Sequence, residues 1–399
     1  MNDADSSAPW SAQDIIAWLA REGRFVAPFE RFVAALGERL VSAGVPVWRI
    51  RFGLRTLHPQ VRAVGVLWTR GRGAQMTRRL HGIEHSDDYL GSPIQHILET
   101  GTALRRRLSE LDRERDHAVL HSIAAQGGAD YLALPLRFND GIANAFIVVT
   151  DRAEGFSDAD VTGLETLSDH LSPIVEVFST RYIARSLLDT YVGHRTGQRV
   201  LNGQIKRGDG EIIHAAIWFS DLRDFTPLSE NLPPHALLAT LNAYFEFVAA
   251  AVTARDGEIL RFIGDAMLIV FPSEHESDLA SACENAIESA LDACASLATF
   301  NHRRRRAGQP AIRFGVGLHV GKVIYGNVGA PDRLDFTVMG PAVNRAARIE
   351  GLTKSLGPSV LMSREFASHV GRPVRSLGSH ALKGVADLQE VFALEEDSG

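Results

Sequence analysis

The sequence predicts an α+β chain of two or three domains. Short apolar runs with period-two alternation, such as IIHAAIWFS and AMLIVFP, read as strands, and longer stretches with apolar residues at helical spacing lie between them. In the second half these elements come in the order strand, helix, strand, strand, helix, strand. That βαββαβ order is the split βαβ, or ferredoxin-like, arrangement. A length of 399 residues exceeds what one core of ordinary size accommodates.

Composition narrows the class. Hydrophobic residues make up 45% and charged residues 23%, as in a globular chain with ample core. The net charge of −6 argues against general affinity for nucleic acid or an anionic membrane. No run is expected to span a bilayer, which needs about 20 apolar residues. The start, MNDADSSAPWSAQD, is acidic and polar, unlike a signal peptide. Cys283 and Cys294 fall on one helix face roughly 16 Å apart along its axis, too far for a disulfide. Reduced cysteines and no targeting segment point to the cytoplasm.

Residues 11–45 place Ile15, Ile16, Trp18, Leu19, Phe29, Phe32, Val33, Leu36 and Leu40 at helical spacing. Residues 47–54 and 61–70 read as strands joined by a turn at His58-Pro59, and 93–126 as helix or loop. Residues 131–138 and 143–150 form a hairpin around Asn139-Asp140-Gly141. An amphipathic helix follows over 156–178, with Ser157 as its N-cap. A closing hairpin followed by a long exit helix resembles the GAF family, which implies a sensory or dimerising domain over residues 1–180. No ligand site carries over, and His58 and Trp68 are read as packing residues. Residues 181–210 continue the helix and break at repeated glycines, as a linker would.

The third segment, 211–399, holds strands at 212–220, 258–263, 266–271 and 311–320 and helices at 233–254 and 277–300. Arg303 to Arg306 read as a solvated helix C-terminus that suits the helix dipole. Asp221 ends the first strand, and Asp265 sits in the Gly264-Asp265 turn between the next two. Singly, each is an ordinary turn or helix-end aspartate. Together, at the edges of adjacent strands, they suit two Mg²⁺ or Mn²⁺ ions held between protein and a triphosphate.

FSDLRDFT, RFIGDA, VGLHVGKVIYGNVG, DFTVMGPAVNRAARIE and LKG then follow in order. With them, the stretch from about 205 to 395 resembles the catalytic domain of class III nucleotidyl cyclases. The resemblance implies that Asp221, Asp265 and the Leu222 carbonyl bind both metal ions. One ion would lower the pKa of the ribose 3′-OH and the other would hold the β- and γ-phosphates. Backbone N–H groups at Phe225 and Thr226 would meet the triphosphate. Asn344 would orient the ribose and Arg348 would stabilise charge on the α-phosphate; four residues apart on a helix, they share a face. Lys383 would neutralise the terminal phosphates. The implied reaction is in-line attack of the 3′-oxygen on the α-phosphorus, releasing pyrophosphate. In this family the aspartates and the Asn/Arg pair face each other across a subunit interface, which implies a homodimer with an arm at 323–339.

The base-selecting positions depart from the adenylate pattern. Adenylate cyclases of this class usually carry Lys where this chain has Arg261; Thr337 fits the pattern. Arginine has five donors and no acceptor, which suits the carbonyl oxygens of uracil or guanine. Thr337 could accept the N3–H of uracil. Arg261 is similar to the residue found in the uridylate cyclases of Pycsar antiphage systems, so UTP to cUMP is favoured, with ATP to cAMP as the alternative. A downstream cyclic-nucleotide-binding effector would read the product. A diguanylate cyclase is excluded because the turn reads Ile263-Gly264-Asp265-Ala266. A catalytically silent nucleotide-binding module is the rival of another class; the retained Asp221, Asp265, Asn344 and Arg348 argue for activity.

Overall fold

The computed structural model describes residues 10–273 and 275–395. The acidic start read as unlike a signal peptide falls mostly on residues 1–9, outside the described residues. The chain divides into two compact units, Met1–Thr190 and Tyr191–Gly399.

The N-terminal unit is built on a six-stranded sheet in the order β3-β2-β1-β6-β5-β4. Its elements are α1 (Ala12–Arg21), α2 (Phe29–Ser42), β1 (Arg49–Arg55), β2 (Val61–Thr69), β3 (Gly73–Leu80), α3 (Pro93–Thr100), β4 (Leu104–Arg107), α4 (Ala118–Ala125), β5 (Asp130–Arg137), β6 (Ala143–Thr150) and α5 (Asp158–Val192). One sheet face packs Ile50, Phe52 and Leu54 against Phe32, Leu36 and Leu40 of α2 and Leu164, Leu167 and Leu171 of α5. The other packs Tyr131, Ile147 and Val149 against Ile97 of α3 and Leu120 and Ile123 of α4.

The hairpin at Asn139-Asp140-Gly141 forms, with Gly141 at φ +76 supplying the left-handed residue. Ser157 starts α5 through a reciprocal cap: Asp160 N donates to Ser157 Oγ (3.1 Å), and Ser157 N donates to the Asp160 carboxylate (2.8 Å). Strands β3 and β4 escaped the sequence reading. β3 reads GAQMTRRL, and as a sheet edge it buries little, so no apolar alternation announces it. Trp68 packs as expected, 3% exposed. His58 differs: its Nδ1 accepts from Gln60 N and Val61 N, which makes it a turn-holding residue rather than a core one.

The C-terminal unit comprises α6 (His194–Leu201), β7 (Gly210–Leu222), α7 (Phe225–Asn231), α8 (Pro234–Thr253), β8 (Glu258–Ile263), β9 (Ala266–Ser273), α9 (Leu279–Arg306), β10 (Phe314–Ala330), β11 (Arg333–Met339), α10 (Pro341–Leu356), β12 (Val360–Ser363), α11 (Arg364–Ala367), β13 (Val374–His380) and β14 (Gln389–Leu394). The sheet runs β13-β14-β12-β10-β7-β9-β8, with β11 paired to β10. Within it β10-β7-β9-β8 is the split βαβ order read from the sequence. β7 alternates: Ala216 and Trp218 face α8 and α9, while Ala215 and Ile217 face α10. The 181–210 stretch is not uniform. α6 is a packed helix whose buried Thr196 donates to Glu258 from N (3.1 Å) and Oγ1 (2.9 Å), while Tyr325 donates to the other Glu258 oxygen (2.7 Å).

Two further readings are corrected. α8 is long and apolar enough to span a bilayer by length and composition, with a hydropathy of 1.5. Here it puts Tyr244, Val248 and Val252 into the core against the sheet. The run Arg303–Arg306 is not uniformly solvated: Arg304 is 6% exposed and donates to Thr240 Oγ1 at 3.0 Å and Pro310 O at 2.7 Å. Cys283 and Cys294 are free, and burial pushes the Cys283 thiol up to about 12.

Candidate active site

Period-two alternation along β7 puts Asp221 on the α10 face, with Ala215 and Ile217. The tight turn after β8, with Gly264 at φ +64, presents Asp265 beside it. The two carboxylates line one cavity and lie within hydrogen-bonding reach of each other. Burial first, then the bond to Asp221 and its charge, raise the Asp265 carboxyl to about 6. Leu222, next along β7, is buried.

Residues that the sequence reading did not single out complete this corner. β10 carries Gly315 and Gly317 on the α10 face, and a Cβ at Gly317 would lie 2.2 Å from Ala346 O. Only glycine allows α10 this approach. The approach brings Glu350 and Lys354 to Asp221: Lys354 Nζ lies 3.7 Å from Asp221 Oδ2. Glu350, 4% exposed, is raised to about 7 by burial and then by Asp221. Their spacing on α10 was the signal available, since Glu350 and Lys354 stand four apart on one helix face.

A cavity of about 420 Å³ opens at the acid pair, lined by Asp221, Leu222, Asp224, Phe225, Thr226, Asp265, Arg313 and Lys354. Phe225 and Thr226 open α7, where Asp224 takes a left-handed φ of 59 and accepts from Arg313 at 2.8 Å. The other candidates lie elsewhere on the same unit. Asn344 and Arg348 are both exposed on α10, and neither lines the cavity. Lys383 is exposed in the turn between β13 and β14. Arg261, exposed on β8, pairs with Asp335 of β11. Thr337 is 5% exposed on β11, opposite Gly326 of β10. One chain thus brings together Asp221, Leu222, Phe225, Thr226 and Asp265, and leaves Asn344, Arg348, Arg261, Thr337 and Lys383 outside that cavity.

Residues 210–390 match the family model for the adenylate and guanylate cyclase catalytic domain. This segment matches the class III cyclase catalytic domain. The chain is similar to Adenylate cyclase 1 of Rhizobium meliloti (strain 1021), 29% identical over 300 residues, covering 71% of this chain and 44% of that protein. It is also similar to an adenylate cyclase of Anabaena cylindrica, 34% identical over 173 residues, covering 42% of this chain and 33% of that one. The chain therefore spans less than half the length of these curated relatives. A solved bacterial light-regulated adenylyl cyclase aligns at a TM-score of 0.50 with 21% identity, over 66% of this chain and 83% of that one, a likeness of fold.

Class III cyclases generally use divalent metal ions, and the residues of this domain fit such ions. Burial, with the neighbouring Asp221, raises the Asp265 carboxyl to about 6, and Lys354 stands 3.7 Å from Asp221. The donors of this acid pair are hard oxygens, the type that Mg²⁺ and Mn²⁺ prefer. No group of three His, Cys, Asp or Glu side chains gathers to hold a metal among the described residues. A pair of carboxylates with a backbone carbonyl is nonetheless what Mg²⁺ takes when substrate phosphates and water fill its remaining positions.

Proposed function

We propose that the C-terminal unit is the catalytic part of a homodimeric nucleotidyl cyclase. It converts a nucleoside triphosphate into the 3′,5′-cyclic monophosphate and pyrophosphate. The contact of Asp221 with Asp265 at the ends of neighbouring strands, inside a cyclase-family segment, carries this reading. Two divalent ions, Mg²⁺ or Mn²⁺, bound there would acidify the 3′-hydroxyl and offset phosphate charge.

The chain's own groups do the positioning. Asp221, Asp265 and the Leu222 carbonyl hold the ions. Phe225 and Thr226 offer backbone N–H donors to the triphosphate. Asn344 orients the ribose, Arg348 donates to the α-phosphoryl oxygens as charge builds, and Lys383 meets the terminal phosphates. The 3′-oxygen bonds to the α-phosphorus, the bond to the β-phosphate oxygen breaks, and the 3′ proton leaves to solvent. Because Asn344 and Arg348 stand outside the acid-pair cavity of their own chain, a second copy supplies them. Exposed apolar residues on the sheet, Ile212 at 72% and Phe262 at 53%, support such an interface.

For the base, the Arg261–Asp335 pair supports placing ATP ahead of UTP. Asp335 provides the acceptor that arginine lacks. Donor and acceptor together match N1 and N6–H₂ of adenine, so ATP to cAMP is the first reading; both curated relatives above are named adenylate cyclases. UTP to cUMP, with an antiphage role, is the second, resting on the fork of Arg261 and on Thr337 as acceptor for N3–H. The N-terminal unit is read as a GAF-like sensory or dimerisation domain, the enzyme as cytoplasmic because its substrate is, and its output as read by a cyclic-nucleotide-binding effector. The test is purified protein with ATP, GTP, CTP and UTP separately, with Mn²⁺, and products identified by mass. Cyclic AMP is expected. Cyclic UMP as main product would select the second reading, and no cyclic nucleotide from any substrate would overturn the assignment.

A further inference from the structure

The N-terminal sheet carries an arginine stripe on a face that helices cover. β1 reads Arg49-Ile50-Arg51-Phe52-Gly53-Leu54-Arg55, and alternation commits Ile50, Phe52 and Leu54 to the core beneath α2 and α5. Arg49, Arg51 and Arg55 therefore point to the opposite face, the one that α3 and α4 roof over. There they line a cavity of about 670 Å³, joined by Arg62 of β2 and Arg79 of β3. Glycines leave the room. Gly53 has no side chain on this face, and at Gly65, paired with it on β2, a Cβ would strike Phe52 O at 2.8 Å.

These guanidiniums make no direct ion pair among the described residues, although the cavity's rim includes Glu84, Asp88 and Glu99; Glu84 acts on Arg62 only at longer range. Arg49 donates to neutral Gln126 at 2.9 Å. The Nε atoms of Arg49 and Arg51 are buried without a hydrogen-bond partner. Burial and the neighbouring charges of Arg79 and Arg49 hold Arg51 below its ordinary value. A guanidinium cannot shed its proton at working pH, so the unmet charge persists. Several like charges gathered over one apolar pocket cost stability unless an anion joins them. The roof opposite is apolar, formed by Ile94 of α3 and Ile123 of α4, and Ile147 of β6 adds an apolar side chain beside Arg51 on the sheet.

We propose that this cavity binds a small organic anion, its carboxylate or phosphate held by Arg49 and Arg51 and its apolar or aromatic body lodged against Ile94, Ile123 and Ile147. A charge-assisted, forked contact to arginine supplies the anion selectivity, and the apolar wall distinguishes such a ligand from a bare inorganic ion.

The test uses the full chain, with calorimetry and thermal melting. The probes are 2-naphthoate, 1-naphthyl phosphate, uncharged 2-naphthalenemethanol and inorganic phosphate alone. At least one naphthyl anion should bind saturably, one per chain, and weaken several-fold as salt rises from low to about 0.5 M. Naphthoate against naphthyl phosphate tells which acid group the arginines prefer. Arg51→Gln should cut affinity by about tenfold or more without lowering the ligand-free melting temperature. Gly53→Val is the second variant. A Cβ at Gly53 meets Ala145 and Ile94 only at 3.7 and 3.9 Å, so a larger side chain occupies the cavity instead of breaking the sheet, and binding should be lost. The proposal fails if neither naphthyl anion binds, if the alcohol binds as well as the acids, or if both variants keep full affinity. Phosphate binding as tightly as naphthyl phosphate would overturn the apolar subsite. Should both variants misfold, acid against alcohol on the unaltered protein still decides.

Discussion

Replacing Asp265 by asparagine should stabilise the metal-free protein while abolishing its activity. Burial and the adjacent Asp221 raise the Asp265 carboxyl from 3.8 to about 6. The folded state thus holds this proton more tightly than the unfolded chain does. Its contribution is full below the unfolded value of 3.8 and is lost as pH rises through about 6. Unscreened, that shift corresponds to about 3 kcal/mol; partial exposure to water reduces it to about 1–2 kcal/mol. In EDTA at pH 8, Asp265→Asn should therefore melt about 3–6 °C above the unaltered protein, and at pH 4 the difference should vanish. Mn²⁺ should reverse the order, since it binds only the intact pair and stabilises by mass action. Differential scanning fluorimetry across pH, with EDTA and with millimolar Mn²⁺, reads all of this. A variant less stable than the parent at pH 8, or equally stabilised by Mn²⁺, would refute the crowded-acid account.

Glu350→Gln should likewise gain stability above pH 7 without metal and lose the advantage near pH 4.5, because the buried Glu350 is raised to about 7; the same melts check it. Lys354→Gln removes the cation beside Asp221, so it should lower the Mn²⁺ concentration for half-maximal activity a few-fold, read by metal titration. Arg261→Lys should move base preference toward adenine, and Asp335→Asn away from it, in competition assays with paired nucleotides. Thr196→Val removes the hydroxyl that donates to Glu258 and should cost the C-terminal unit about 1–2 kcal/mol in urea melts, as the buried carboxylate loses a partner.

Much of the C-terminal unit was legible in its residues because its strands are buried and β-rich. Period two in IIHAAIWFS announced β7 and thereby the face on which Asp221 stands. Gly264-Asp265 between two apolar strands announced the turn that meets it. What escaped depended on partners distant in the chain. Glu350 and Lys354 matter because Gly315 and Gly317 let α10 settle onto β10, a consequence of packing that no local pattern carries. Arg304 reads as one of four equivalent arginines until the fold gives it Thr240 and Pro310. The edge strand β3 is polar because an edge must be, so alternation could not mark it. The arginines of β1 were legible as alternation, but their cavity needed α3 and α4 in place.

The central claim is that one chain holds both halves of the site but brings them together only with a second copy. Asp221→Ala and Arg348→Ala should each abolish cyclase activity, leaving one protein without an essential metal ligand and the other without the phosphate-facing arginine. Mixed and allowed to exchange subunits, half of the dimers are heterodimers, each with one intact site, so activity should return to about a quarter of the unaltered protein's. Sustained inactivity of the mixture, with heterodimers demonstrated by mass, would contradict the claim.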